Sequence, residues 1–183
     1  MRMLALLLLG CLSVMSFTSD VFADDTTLLI RGRDFQFAGG WMNLGEYLRP
    51  AEMQKTVADA MTAIEAPHDG TYHVWARAKD FASYMPRTRR YLVTVDGAAL
   101  PDEAGKHGGE GWAWEKVGTV ELKAGEHMLG LRALASRYAR CSHLLLTTTE
   151  LDPNRTPFSV LGKHQGSSVS KCEHREKRQV PRS

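Results

Sequence analysis

A tryptophan and an arginine stand two residues apart in segment 71–79, TYHVWARAK. The segment alternates: Tyr72, Val74, Ala76 and Ala78 fall on one side, and His73, Trp75, Arg77 and Lys79 on the other. Successive side chains of a strand point to opposite faces. If Tyr72 and Val74 face a core, Trp75 and Arg77 share the opposite surface. A flat ring beside a planar cation has the chemistry of a sugar platform. The apolar face of a sugar stacks on the ring, and guanidinium N–H groups bond its hydroxyls. The same spacing also fits a Trp75 ring covered by a neighbouring strand or by the segment from Pro50, since large aromatics are often buried.

Two further rings are candidate contributors to such a face. Trp41 follows Gly39-Gly40 and reads as a loop residue, with packing over a sandwich edge as its other placement. Tyr84, in Phe81-Ala82-Ser83-Tyr84-Met85-Pro86, reads as a loop tip. The candidate ligand-binding set is therefore Trp75, Arg77, Trp41 and Tyr84. Trp112 and Trp114 also share a face and are expected to be core anchors, because aromatic pairs dominate small cores.

Catalytic chemistry has little to stand on. Neither Gly-x-Ser-x-Gly, His-Glu-x-x-His nor Gly-x-Gly-x-x-Gly occurs. The loop 101–111, PDEAGKHGGEG, is polar and glycine-rich, a style in which sandwiches carry binding. His107 and Glu110 could polarise a bound group there, although a lone His beside Gly is more often plain surface. Gly108-Gly109-Glu110-Gly111 is no phosphate cradle, because no Lys-Ser/Thr follows. Arg87, Arg89 and Arg90 read as a solvated strand entry. No Cys-x-x-Cys supports zinc or redox work. Cys141 and Cys172 could pair in an oxidising compartment, but the position of Cys172 in the tail argues against a fold-defining bridge. The reading is a non-enzyme with no catalytic residue, no metal and no cofactor.

The chain that must position these groups has 183 residues. Met1-Arg2-Met3, an apolar run over 4–17 and Val21-Phe22-Ala23 form a signal peptide, expected to span 1–23. Its apolar run falls short of the ~20 residues that a membrane span needs. No later segment could cross a bilayer, and the bacterial-type signal peptide leads to the expectation of a secreted or periplasmic protein. The next stretch, 24–158, is long enough for one domain with a real core.

Charge is unevenly distributed. From Val160 onward, Lys163, Lys171, Arg175, Lys177, Arg178 and Arg182 face only Glu173 and Glu176. The tail 159–183 therefore reads as basic and disordered. The body is slightly acidic, which gives no reason to expect a nucleic-acid partner.

The body reads as short strands with turns between them. Residues 26–30, 71–79, 90–95, 111–122, 127–134 and 141–148 have strand patterns. Asp69-Gly70, Asp96-Gly97 and Lys123-Ala124-Gly125-Glu126 mark turns, and Gly118 marks a bulge or bend. Turn signals recurring about every 8–12 residues, with no βαβ alternation, indicate an all-β sandwich. Segment 50–64 has helical spacing, yet 62–66 also reads as an edge strand paired with 71–79. An irregular or helical start with a strand finish is the favoured reading.

Several pieces stand in a telling order. Arg33-Asp34-Phe35-Gln36 precedes Gly39-Gly40-Trp41. Pro67-x-Asp69-Gly70-Thr71-Tyr72-x-Val74-Trp75-x-Arg77-x-Lys79-Asp80 follows, then Val95-Asp96-Gly97. Gly111-Trp112-x-Trp114-Glu115-x-Val117-Gly118 comes next, then Leu122-x-Ala124-Gly125-x-His127 and Cys141-x-x-Leu144-Leu145-Leu146-Thr147. Across 27–158 this resembles the carbohydrate-binding, galactose-binding-like jelly-roll β-sandwich accessory domains. Such domains occur in secreted bacterial proteins, sometimes attached to FAD-dependent oxidoreductase or polysaccharide-degrading domains. Calcium-binding members of that class often open with an acidic pair and close with an Asp before the last apolar strand. The matching positions here are Arg31, Arg33 and Ser142. Calcium requires oxygen ligands, with carboxylates prominent, so no calcium site is carried over.

The resemblance implies a secreted, non-catalytic binding module with a glycan as partner. The other reading, from a different class, is a structural or protein-interaction domain, an orphaned accessory part of a larger multidomain enzyme. The exposure of Trp75 and of the other rings discriminates between them.

Overall fold

The computed structural model describes residues 25–162. The expected signal peptide, Cys172 and nearly all of the basic tail lie outside those residues. The strands are β1 (Thr27–Arg31), β2 (Trp41–Asn43), β3 (Leu48–Pro50), β4 (Ala60–Ala66), β5 (Gly70–Asp80), β6 (Tyr91–Val95), β7 (Ala98–Ala104), β8 (Gly111–Leu122), β9 (Gly125–Ala133) and β10 (Cys141–Thr147). A single 3-10 turn, Gly32–Asp34, follows β1, and a one-turn helix α1, Phe158–Leu161, follows the last strand. Helix α1 lies across position 158, the expected end of the domain.

The strands form two antiparallel sheets. One has the order β2-β3-β10-β5-β8 with β1 also on β10, and the other has the order β4-β9-β6-β7. This is the all-β sandwich that the turn rhythm indicated, in the jelly-roll form that the resemblance implied. Between the sheets lie Phe35, Leu48, Tyr72, Val74, Tyr91, Val93, Leu129, Leu131, Leu144 and Leu146, with Ala76 and Ala78 as small fillers. The alternation in β5 holds to its end: Tyr72, Val74, Ala76, Ala78 and Asp80 are buried, and the residues between them are half-buried. Asp96-Gly97 makes the β6–β7 hairpin with φ of 50° and 81°, the left-handed pair that a two-residue turn requires. Gly118, at φ 144°, sits where the β5–β8 register shifts, the expected bulge.

Strand β4 corrects one expectation. It pairs along its whole length with β9, not with β5, and residues 51–59 before it form no helix. The reason is that both edges of β5 are occupied, by β10 and β8. The chain therefore crosses to the second sheet, where Ala60, Thr62, Ile64 and Ala66 face the core.

A second apolar cluster lies on the far face of the larger sheet. Leu29, Trp114, Leu145 and Leu161 form it, with Trp75 and Leu151 packed against it. The consecutive Leu144, Leu145 and Leu146 of β10 reflect a strand buried on both faces. The chain after β10 folds back to cover this side. Asn154 accepts from Trp114 N–H at 2.9 Å and donates to Trp114 C=O at 3.0 Å. That side chain blocks part of the β8 edge, which would otherwise offer open strand hydrogen bonds.

Candidate functional site

The four candidate residues do not converge. Trp75 and Arg77 share the outer face of β5, as alternation requires, but they line different depressions. Trp75 borders a hollow with His73, Lys116, Glu150, Leu151 and Asp152, and its indole N–H is buried without a partner. The segment after β10 covers part of the ring. Trp75 is therefore not the bare platform of the first expectation.

Trp41 requires a fuller correction. It is only 4% exposed and packs edge-on against Tyr91, with ring centroids 5.9 Å apart. Gly39 does take a left-handed turn, at φ 56°. The strand that begins directly after it points the ring inward, where a ligand cannot reach it. Trp112 and Trp114 do share the outer face. Trp114 anchors the second cluster, while Trp112 is half-buried beside Tyr47, 5.6 Å between centroids.

Tyr84 is where the sequence placed it, at a loop tip, with 59% of its surface exposed. It lines a cleft of about 400 Å³ with Met53, Phe81, Arg89, Arg137, Tyr138 and Arg140. Three connections supply these groups, those after β3, β5 and β9. The Arg137 guanidinium lies 5.4 Å from the Tyr84 ring centre, and Arg49 lies 4.2 Å from that of Tyr138. Phe81 has Arg89 at 4.4 Å and Arg140 at 5.2 Å. Cations over ring faces hold such rings in place.

The β5–β6 loop is fixed from below. Asp80 Oδ1 accepts from Phe81 N–H at 2.9 Å and from Arg89 Nη1 at 3.0 Å. Its Oδ2 accepts from Arg87 N–H at 2.7 Å and Gly108 N–H at 3.0 Å. Arg89 also donates to the carbonyls of Met85 and Tyr84, each at 3.1 Å. Burial alone would raise the Asp80 pKa, but the four donors outweigh it and hold the carboxyl below its ordinary value. Arg89 is thus a buried structural cation, correcting its reading as a solvated strand entry. Glu110 accepts from Ser83 N–H and Oγ at 3.3 and 3.1 Å, steadying the same loop. Sequence reasoning missed Phe81, Arg137, Tyr138 and Arg140, which no motif joins to Tyr84.

Arg77 belongs to a separate cleft of about 440 Å³, with Arg31, Arg33, Glu46, Trp112, Ser142 and His143 in its wall. The positions where calcium carboxylates were sought, Arg31, Arg33 and Ser142, therefore do meet in space. Guanidiniums repel a divalent cation, and these residues do not fit one. Among the described residues, no group of three or more His, Cys, Asp and Glu is arranged to hold a metal. No described helix is long and apolar enough to cross a membrane. Another depression, of about 650 Å³, includes His107 and Glu115 but has no Phe, Tyr or Trp in its lining.

Comparison with solved structures establishes the architecture. The chain superposes on the GH26-CBM35 β-(1,4)-mannanase of Podospora anserina with a TM-score of 0.52 and 18% identity, covering 70% of this chain and 29% of that one. A family 35 carbohydrate-binding module from Clostridium thermocellum matches with a TM-score of 0.52 and 16% identity, covering 68% of this chain and 99% of the module. The C-terminal CBM6 of a marine laminarinase from Zobellia galactanivorans matches at 0.50 and 18% identity, over 67% and 99%. The fold is that of the carbohydrate-binding modules. The chain spans less than a third of the mannanase. No protein-family model matches the sequence, and no curated protein matches it.

Proposed function

We propose that this protein is a secreted, non-catalytic carbohydrate-binding module that takes its glycan in the loop cleft around Tyr84. The carrying observation is the exposed Tyr84 ring, standing beside Phe81, Tyr138, Arg137 and Arg140 on a loop clamped by Asp80 and Arg89. A ring of this kind offers a stacking face, and the nearby guanidiniums offer donors to sugar hydroxyls. The clamp limits the ordering cost of binding, because the loop is already held. The shared fold supports the reading, as modules of this architecture are named for carbohydrate binding and occur beside a mannanase and a laminarinase. The pattern of residues 1–23 supports export.

Affinity electrophoresis in gels containing mannan, laminarin or other polysaccharides tests this reading. The wild-type protein should be retarded by at least one polysaccharide, and Tyr84→Ala should run free while keeping its melting temperature. Unchanged retardation of a folded Tyr84→Ala protein would move the glycan elsewhere. Absence of retardation across a broad panel would favour a structural accessory domain.

A further inference from the structure

We infer that the cleft on the outer face of the larger sheet is an anion site, which takes an oxyanion such as a sulfate group between Arg77, Arg31 and Arg33. This goes beyond the glycan reading and does not depend on the Tyr84 cleft.

Arg77 is the central observation. It projects half-buried from β5, with its guanidinium carbon 5.4 Å from the Trp112 ring centre and 5.2 Å from that of Phe158. Its single polar side-chain partner among the described residues is the Ser142 hydroxyl, 3.3 Å from Nη1. No carboxylate pairs with it. A guanidinium carries five N–H donors, so most of these stay uncommitted and available to the cleft. Holding such a cation partly out of water without a counter-ion is costly, and an arriving anion removes that cost.

Two more guanidiniums reach the same space. Arg31 bonds Asp34 Oδ2 at 2.6 Å through Nε, and Arg33 Nε lies 3.9 Å from Asp34 Oδ1. One carboxylate therefore serves two arginines. Glu46 is the one acid in the wall itself, so with Asp34 beside it three positive charges meet two negative ones. His143 stands in the same wall and feels the same charges. Burial pushes its pKa down to about 4, and Arg77, Arg31 and Arg33 push in the same direction, against Asp34 alone. Its Nδ1 is buried without a partner. The local field is positive. Arginine forks suit planar or tetrahedral oxyanions, with charge-assisted bonds on more than one oxygen.

The oxyanion could be a free ion or a group carried on a polymer, and two probes separate these sources. Sodium sulfate is titrated against sodium chloride at matched ionic strength, with binding read by NMR shifts of Trp112 and His143. Dextran sulfate is compared with neutral dextran in parallel. Sulfate should bind, and both Arg77→Gln and Arg33→Glu should weaken it by about tenfold or more, the scale of one lost charge-assisted bond. Glu46→Gln should tighten it. If Arg77→Gln fails to fold, Arg33→Glu alone carries the test, because Arg33 is exposed. A preference for dextran sulfate over free sulfate, lost in Arg33→Glu, would assign the site to a sulfated polymer.

Equal shifts with chloride and sulfate, or unchanged sulfate binding in Arg33→Glu, would overturn the site. Polysaccharide retardation is measured on the same variants. Loss of sulfate binding with retardation kept separates the two clefts, whereas loss of both in a folded protein would overturn their independence.

Discussion

Arg89 lies 3.0 Å from Asp80 with both side chains out of solvent, 5% and 0% exposed. The pair joins the end of β5 to the start of β6. Between those ends, the 81–88 loop is drawn tight enough to present Tyr84 outward. Removing one partner leaves the other charge buried and unpaired. Asp80→Asn or Arg89→Leu should therefore cost about 3–5 kcal/mol in urea unfolding. The exposed pair of Arg90 and Glu103 offers the contrast: Arg90→Gln should change stability by about 1 kcal/mol or less. Equal effects for Arg89 and Arg90 would show that the loop is not clamped in this way.

Trp41 and Tyr84 should separate stability from binding. Trp41 fills the core against Tyr91, so Trp41→Ala should cost about 3–5 kcal/mol. Tyr84→Ala removes an exposed ring and should stay within about 0.5 kcal/mol of wild type. Its effect should appear in polysaccharide retardation, at about 1–3 kcal/mol of binding energy, on the scale of a stacked ring. Calorimetry of the two variants checks the first pair of values.

The segment after β10 should act as a cover for Trp75 and Trp114. Leu161 is buried against Leu29, and Phe158 stacks on Trp114 at 5.9 Å. Leu161→Ala should lower stability by about 2 kcal/mol or more. It should also shift tryptophan emission to the red as water reaches the two indoles. An unchanged spectrum would mean that the rings are sealed without the cover.

His143 gives a pH dependence with a definite sign. Its folded pKa is lowered to about 4, by burial first and then by Arg77, Arg31 and Arg33. The unfolded chain takes up the proton near the ordinary value of about 6.5. Above that pH, both states are neutral and the contribution to stability is full. As pH falls from about 6.5 to about 4, only the unfolded state gains the proton, so stability declines; below that range this effect adds no further slope. His143→Gln should flatten the difference in denaturation midpoint between pH 7 and pH 4.5. An unaltered slope would place the responsible titration elsewhere.

Much of the fold was determined by local sequence. The alternation in 71–79 set which side chains of β5 share a face, and Asp96-Gly97 set a hairpin, because both properties follow from backbone geometry within a few residues. The ordered motifs pointed to the jelly roll by their resemblance to a known class of domains. Tyr84 was legible as a loop tip from its neighbours. What covers a face is a different kind of fact. Trp75 and Trp114 lie under Leu151, Phe158 and Leu161, and nothing in the local pattern of β5 or β8 announces that cover. Trp41 turned inward because of where β2 and β3 join the larger sheet. β4 chose β9 because distant strands had already filled both edges of β5. The two clefts are also tertiary products. Phe81 and Tyr84 come from one loop and Arg137 and Tyr138 from another, and Arg31, Arg77 and His143 become neighbours only because β1, β5 and β10 hydrogen-bond side by side. Sequence spacing controls the direction of a side chain along its own strand, but burial and proximity depend on which remote segments pack against it.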